Sequence, residues 1–267
     1  MTLLVGVPFP WDSLLQRDVF RVVAELGFQF HRGVILAADS RWTRPSGARV
    51  DDAIKIFGIG TNGLAAYGGN VPIGEDAIKE LSVHLPGRAV ATIDEMNAVI
   101  TQALQTVWAR YSVFCDRQLH VLLGLSDAHG GCWLGRFSHQ DDFRAHPLTD
   151  IELIGPEPAK NHFRQVFDKI VEQQFAGGSY SLEVRSWAGL VATALHDTCE
   201  READVLVGGK ILYGVTSGGE AEARGFARVR AGLHGPITEH LTVHPLQART
   251  LRKWWKCDGL PAGQEPS

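Results

Sequence analysis

The sequence predicts an α+β fold: a four-layer αββα sandwich in which two antiparallel sheets pack face to face and a helix pair covers each outer surface. Two observations point there. The spacing of apolar residues switches between a period of two and a period near 3.6 in long blocks. These blocks run strands, helix pair, strands, helix pair, strands, an order that fits antiparallel sheets and not an alternating parallel βαβ sheet. Size agrees. The 267 residues, 45% hydrophobic and 21% charged with 29 Gly and 12 Pro, can build a sizeable core and exclude collagen-like or low-complexity chains.

Taken in order, VILAAD, IKIFGI and LAAYG within residues 34–67 read as strands separated by Gly and Asn turns. A helix follows over 75–84. A second has Met96, Val99, Ile100, Leu104, Val107 and Trp108 on one face, with Thr92 placed as its N-cap ahead of Glu95. LHVLLGLSD, CWLGRF and DIELIG are strands, the first two joined by the hairpin chemistry of DAHGG. Phe163, Val166, Phe167, Ile170 and Val171 mark a third helix. Trp187, Leu190, Val191, Ala194 and Leu195 mark a fourth, starting near Ser181. DVLVG, KILYGVT and ARGFARVRAGL return to strand. Residues 1–250 read as one domain without linker or repeat, and 251–267 as a fraying tail. Trp254 and Trp255, near that tail, serve equally well as an interface anchor or a lid over the core.

Composition narrows the function. With 26 Lys+Arg against 30 Asp+Glu the net charge is −4, and no basic block is present to bind a nucleic-acid backbone. Cys115, Cys132, Cys199 and Cys257 form no CxxC or Cys/His cluster, so they read as core residues of a reducing compartment. Neither histidine group, His139 to His146 or His234, His240 and His244, has ligand spacing, and no metal or cofactor is implied. GIGTNG at 58–63 matches a dinucleotide fingerprint, but a strand and not a helix follows it, so it reads as a turn. Pro8 and Pro10 interrupt the apolar start, and no run reaches a membrane span. The expected location is the cytoplasm.

The informative constellation begins at Thr2. Removal of Met1 would give one residue both a hydroxyl nucleophile and a free α-amine, a base that titrates near pH 8. A nearby lysine would disfavour protonation of that amine, and a carboxylate would orient the lysine. Asp39 and Lys55 are the candidates. The same residues, with Arg41, also read as a structural ion network at a strand edge.

TLLVGV (2–7), GVILAADSR (33–41) and IKIFGI (54–59) resemble the opening of the proteasome β-subunit family and its bacterial relatives, which are N-terminal-nucleophile (Ntn) hydrolases. Lys55 follows Asp39 by 16 residues, as the lysine follows the acid in that family. LAAYGG resembles its oxyanion-hole strand, and DVLVGG (204–209) its later acidic segment. The likeness spans about residues 2–230. It implies a threonine-type endopeptidase with Thr2 as nucleophile and base, Lys55 tuning the amine and Asp39 holding Lys55. Arg41 would support them, Asp204 would orient Thr2, and the Gly68 N–H would stabilise the oxyanion, with Gly69 as the neighbouring choice. A peptide or unfolded-protein substrate, a homo-oligomeric ring and an ATPase partner come with the resemblance.

The sequence departs from that pattern in three places. Residues 8–32, including the helix-like DSLLQRDVFRVVAELG, separate the first two strands, either as an insertion at a loop tip or as part of an N-terminal extension. In the second register Val23 takes the nucleophile's place and the chain is a non-catalytic ring subunit. Pro156 and Val207 stand where assisting serines are expected, and YGGNVPIGED is longer than the family's connection. A small-molecule amidohydrolase is a further alternative, since fold does not set substrate.

Overall fold

The computed structural model describes residues 2–43, 48–51, 53–85, 93–113, 116–127, 129, 131–176, 181–201, 207–229 and 237–243. Strand β1 (Leu4–Phe9) is followed by helices α1 (Asp12–Leu15) and α2 (Asp18–Glu25), then β2 (Gly33–Asp39). A small hairpin of β3 (Trp42–Thr43) and β4 (Arg49–Val50) precedes β5 (Ile56–Ile59) and β6 (Gly63–Gly69). Helices α3 (Val71–His84) and α4 (Ile93–Arg110) come next, then β7 (Leu119–Ser126), β8 (Cys132–Ser138), β9 (His146–Pro147) and β10 (Glu152–Ile154). Helices α5 (Glu157–Ala176) and α6 (Val184–Arg201) lead to β11 (Ile211–Ser217), β12 (Glu220–Val229) and β13 (Ile237–Val243).

These strands form two antiparallel sheets, ordered β10-β1-β2-β11-β12-β13 and β5-β6-β7-β8-β9. Helices α5 and α6 cover the first, and α3 and α4 the second, so the predicted αββα sandwich is the fold. Strand alternation sorts the core into layers. Leu3, Val5 and Val7 face Phe163, Trp187 and Val191 of the α5/α6 layer, while Leu4, Val34, Leu36 and Ala38 face Leu64, Ala66, Leu122 and Leu134 between the sheets. Ala65, Tyr67, Val121 and Leu123 face the α3/α4 layer.

Several local details differ from expectation for identifiable reasons. Helix α3 starts four residues early because Pro72 sits in its first turn, where no N–H is needed. The segment predicted as one helix after Trp11 breaks into α1 and α2 at Arg17, whose backbone is extended. Gly27 ends α2 at φ +79, and the bonds Gly27 N–H to Ala24 O and Phe28 N–H to Val23 O form a Schellman motif. The hairpin at DAHGG forms, with Asp127 Oδ1 accepting the His129 and Gly131 N–H groups at 2.8 Å each. Strand β13 and the β3–β4 hairpin were not anticipated. The Thr92 cap, the DVL part (204–206) of the strand predicted before β11, and Trp254 and Trp255 lie outside the described residues.

The segment after β1 is an insertion at a hairpin tip. Strands β1 and β2 pair without interruption from Leu4↔Ala38 to Phe9↔Gly33, so residues 10–32 bridge one end of that pair. Their buried residues Trp11, Leu14 and Phe20 join the α5/α6 core; the Trp11 ring packs edge-on to Trp187 at 5.2 Å, and Phe20 packs against Phe175 at 5.6 Å. Among the described residues, no helix is long and apolar enough to cross a membrane.

Close approach of the two sheets depends on small residues between them. A Cβ on Gly124 would lie 2.6 Å from Val34 Cγ1 and 3.0 Å from Val34 Cβ. Gly124→Ala is therefore expected to cost about 1–3 kcal/mol through overpacking. Urea denaturation should show less loss when Val34→Ala is present too, because the two changes share one space; strict additivity would contradict this packing.

Candidate active site

Strand ends bring the predicted residues together. Thr2 precedes β1, Asp39 ends β2, Lys55 precedes β5 and Gly69 ends β6. The first two belong to one sheet and the last two to the other, so the group lies at one end of the gap between sheets. Thr2 is 8% exposed, and Asp39 and Lys55 are each 1% exposed.

Lys55 Nζ donates to Thr2 Oγ1 at 2.5 Å, to the Arg41 carbonyl at 2.5 Å and to Asp39 Oδ1 at 3.3 Å. Each hydrogen of an ammonium group thus has an acceptor. Asp39 in turn accepts the Leu3 N–H on Oδ1 at 3.0 Å and the Gly208 N–H on Oδ2 at 3.1 Å. Burial pulls the Lys55 pKa below its ordinary value, opposed by the Asp39 charge. Burial pushes Asp39 up, opposed by Lys55 and by the two backbone donors. Desolvation thus drives both groups towards neutrality while their contact favours the ion pair. The full complement of donors on Asp39 and acceptors around Lys55 fits the charged state.

Arg41 lies beside this pair. Its guanidinium grips Asp51 through Nε to Oδ1 at 2.8 Å and Nη2 to Oδ2 at 2.9 Å, and Nη1 donates to the Val207 carbonyl at 3.1 Å. The Arg41 guanidinium holds the Asp51 carboxyl below its usual range. The Arg41 N–H donates to the Gly208 carbonyl at 3.1 Å, and Ser40 Oγ accepts the Lys210 N–H at 2.8 Å. Segment 207–210 is thereby tied to the end of β2.

Of the predicted residues, Thr2, Lys55, Asp39 and Arg41 converge, while Asp204 lies outside the described residues. The register decides between two glycines. Tyr67 N–H donates to the Lys55 carbonyl, and alternate residues of a strand point their N–H groups the same way. Gly69 N–H therefore faces the Lys55 side, whereas Gly68 N–H faces β7 opposite His120. The Val23 register does not fit: Val23 lies on α2, beyond the Phe9 end of β1, and Thr2 is the residue against Lys55. Pro156 and Val207 supply no hydroxyl here; the Pro156 carbonyl receives the Lys160 N–H of α5, and Val207 is buried in the core.

Other sequence motifs resolve away from the site. GIGTNG forms the β5–β6 turn with Gly60 at φ +63. Among the described residues no group of His, Cys, Asp or Glu is arranged to hold a metal ion. Cys199 is buried, and burial pushes its thiol well above the usual range. Sequence reasoning missed Asp51 and the backbone donors of Leu3 and Gly208. Only Asp51 had a legible signal, since a tight hairpin between Arg41 and Lys55 would place it opposite Arg41.

No protein-family profile and no curated protein matches the sequence. Solved structures do match in fold. The Anbu complex from Pseudomonas aeruginosa, described as a helical assembly, matches with a TM-score of 0.56 and 15% identity over 99% of this chain and 98% of that one. Anbu (ancestral beta-subunit) from Yersinia bercovieri matches with a TM-score of 0.55 and 14% identity over 99% and 100% respectively. The chain thus has an Anbu-like, proteasome-related fold. This corrects the resemblance drawn from the sequence: placement among the bacterial proteasome β-subunit Ntn hydrolases does not stand, because the fold likeness is to Anbu and low identity carries the fold alone.

The ion pair gives a stability prediction. Lys55→Met leaves Asp39 buried without its counter-charge, so its folded-state pKa climbs further above the ordinary 3.8. A raised folded-state pKa contributes stability below the unfolded value that is lost as pH rises through the folded one. The variant should lose about 3–5 kcal/mol relative to the parent near neutral or alkaline pH, and less towards pH ~4. Urea melts at both pH values would check this; equal losses would show that Asp39 carries no buried charge.

Proposed function

We propose that the chain is a threonine-type amide hydrolase, acting on peptides, whose nucleophile is Thr2 once cleavage after Met1 frees its α-amine. The supporting observation is the 2.5 Å hydrogen bond from Lys55 Nζ to Thr2 Oγ1 in a buried site anchored by Asp39. We take residues 1–250 as one functional domain, with 10–32 as an insertion remote from the site.

In this reading Thr2 Oγ attacks the scissile carbonyl carbon and its proton passes to the Thr2 amine, directly or through a water. The Lys55 ammonium lowers the proton affinity of that amine and stabilises the developing alkoxide. Asp39 holds Lys55 in place and Arg41 supports both. The Gly69 N–H, on the Lys55 side of β6, is the oxyanion donor we assign in preference to Gly68, a contribution of about 3 kcal/mol in comparable acyl transfers. The Thr2 ammonium then gives that proton to the departing amine of the substrate, whose expulsion leaves an ester on Thr2 Oγ; water, deprotonated by the Thr2 amine, attacks the ester and releases the carboxylic acid, and the proton returns to Thr2 Oγ. Asp204 is kept as an orienting acid for Thr2.

A second reading, a non-catalytic subunit of an assembly, draws on Pro156 and Val207, which give the Thr2 amine no hydroxyl partners. Self-association belongs to both readings, by analogy with the helical assembly of the Anbu complex.

The test is intact mass and peptide mapping of protein lacking Met1, before and after an epoxyketone-type electrophile. One adduct on Thr2 is expected. Thr2→Val keeps the side-chain shape and should abolish the adduct and lower amide hydrolysis by about a thousandfold or more, at a cost of about 1–3 kcal/mol in urea denaturation because the buried Lys55 ammonium loses one acceptor. An unreactive Thr2 in the parent protein would leave the non-catalytic reading. A panel of peptide and small-amide substrates then sorts substrate class.

A further inference from the structure

We infer that Asp51 is a positioning residue for this site: its carboxylate forks the Arg41 guanidinium across the base of the β3–β4 hairpin, and that clip sets the register at which Lys55 meets Asp39 and Thr2. The inference rests on reading Thr2, Lys55 and Asp39 as a working site.

The argument starts from chain path. The chain leaves β2 at Asp39, turns through the hairpin and returns to Lys55. Within the hairpin Trp42 pairs with Val50 and Thr43 with Arg49; one step nearer the base, the same register sets Arg41 opposite Asp51. Two parallel hydrogen bonds, at 2.8 and 2.9 Å, join them. A planar guanidinium gripping both carboxylate oxygens fixes orientation as well as distance. The next cross-chain bond, Ala53 N–H to the Ser40 carbonyl at 3.1 Å, continues the closure towards Lys55.

The clip acts on both partners of the buried ion pair. Arg41 offers its carbonyl to Lys55 Nζ at 2.5 Å. Its guanidinium, held by Asp51, reaches the Val207 carbonyl, and its backbone bonds the carbonyl of Gly208, whose own N–H holds Asp39. Segment 207–209 wraps closely around the clip: a Cβ on Gly208 would lie 2.6 Å from Arg41 Cζ, and one on Gly209 2.7 Å from Asp51 Cβ. Gly209, at φ +80, has the conformation such a turn needs. Among the described residues, the charged and titratable groups acting on Lys55 are Asp39, Asp51 and the Cys199 thiol, with Arg41 alongside. Loss of the Asp51 charge would lower the Lys55 pKa both directly and by leaving the Arg41 charge unbalanced.

The test compares Asp51→Asn and Asp51→Glu in the full chain lacking Met1, with two readouts. Carbon-13 resonances of labelled lysine side chains give the Lys55 titration, assigned with Lys55→Arg. Electrophile modification of Thr2 gives its reactivity. Asp51→Asn should move the Lys55 titration to lower pH and slow adduct formation about ten- to a hundredfold, and Asp51→Glu should recover most of both. An unchanged Lys55 titration in Asp51→Asn overturns the inference, as does an Asp51→Glu variant no better than Asp51→Asn. If the parent forms no adduct, the proposed function falls, yet the lysine titration still decides whether Asp51 positions Lys55. Should Asp51→Asn not fold, Arg41→Lys keeps the positive charge and the carbonyl but removes the fork, and the same two readouts apply.

Discussion

A buried ion pair between Asp39 and Lys55 organises this end of the molecule. Removing either charge from water costs several kcal/mol, which contact between the two offsets only when every remaining donor and acceptor is also matched. Here the four matching groups come from three segments: the Thr2 hydroxyl and the Leu3 N–H before β1, the Arg41 carbonyl after β2 and the Gly208 N–H before β11. An apolar pair of similar volume would serve stability as well or better. On the function proposed above, the charges are retained against a threonine hydroxyl for chemistry at Thr2 and not for architecture.

The sandwich makes that meeting possible. Asp39 and Thr2 belong to the six-stranded sheet and Lys55 to the five-stranded one, so lysine must cross the gap between them. Packed sheets sit about 10 Å apart, within reach of an extended lysine when small residues line the gap. Gly6, Gly124 and Gly214 do so, each with a facing leucine or valine where a Cβ would stand. Packing and site geometry are thus set by one spacing, and a substitution that swells the gap acts on both.

Much of this was legible in residue pattern. Segregated blocks of period two and period 3.6 gave the layers because each block buries a single stripe or face, and the contact between Asp39 and Lys55 was implied by the family resemblance of the segments that carry them. What was hidden depended on register. Gly68 and Gly69 are equivalent as letters, and only the pairing of Tyr67 with Lys55 shows which N–H looks towards the site. Backbone donors such as those of Leu3 and Gly208 leave no mark in a sequence, since every residue but proline carries one. Asp51 resembled any surface acid until the hairpin placed it across from Arg41. The family reading went wrong for a related reason: short strand motifs around ADSR report a shared fold, and a fold is hosted by more than one branch of proteins.

The insertion explains why two registers competed and why one prevails. Read as part of an N-terminal extension, residues 8–32 put Val23 in the nucleophile's place, because the strand before β2 would then be the residues just upstream. In the folded chain those residues are α2 and its Schellman turn, and the true partner of β2 is β1, twenty or more residues earlier, paired through six successive positions. Chain entropy permits this, as a loop closed at a hairpin tip costs only slowly more with length. The inserted piece brings its own anchor in Trp11 and Phe20, so it adds to the α5/α6 core. It also sits at the Phe9 end of β1, some six strand residues, or about 20 Å, from Thr2. An excursion at that distance can grow without moving Thr2 relative to Lys55, which is why a sequence so altered near its start can keep the geometry that its first residues define.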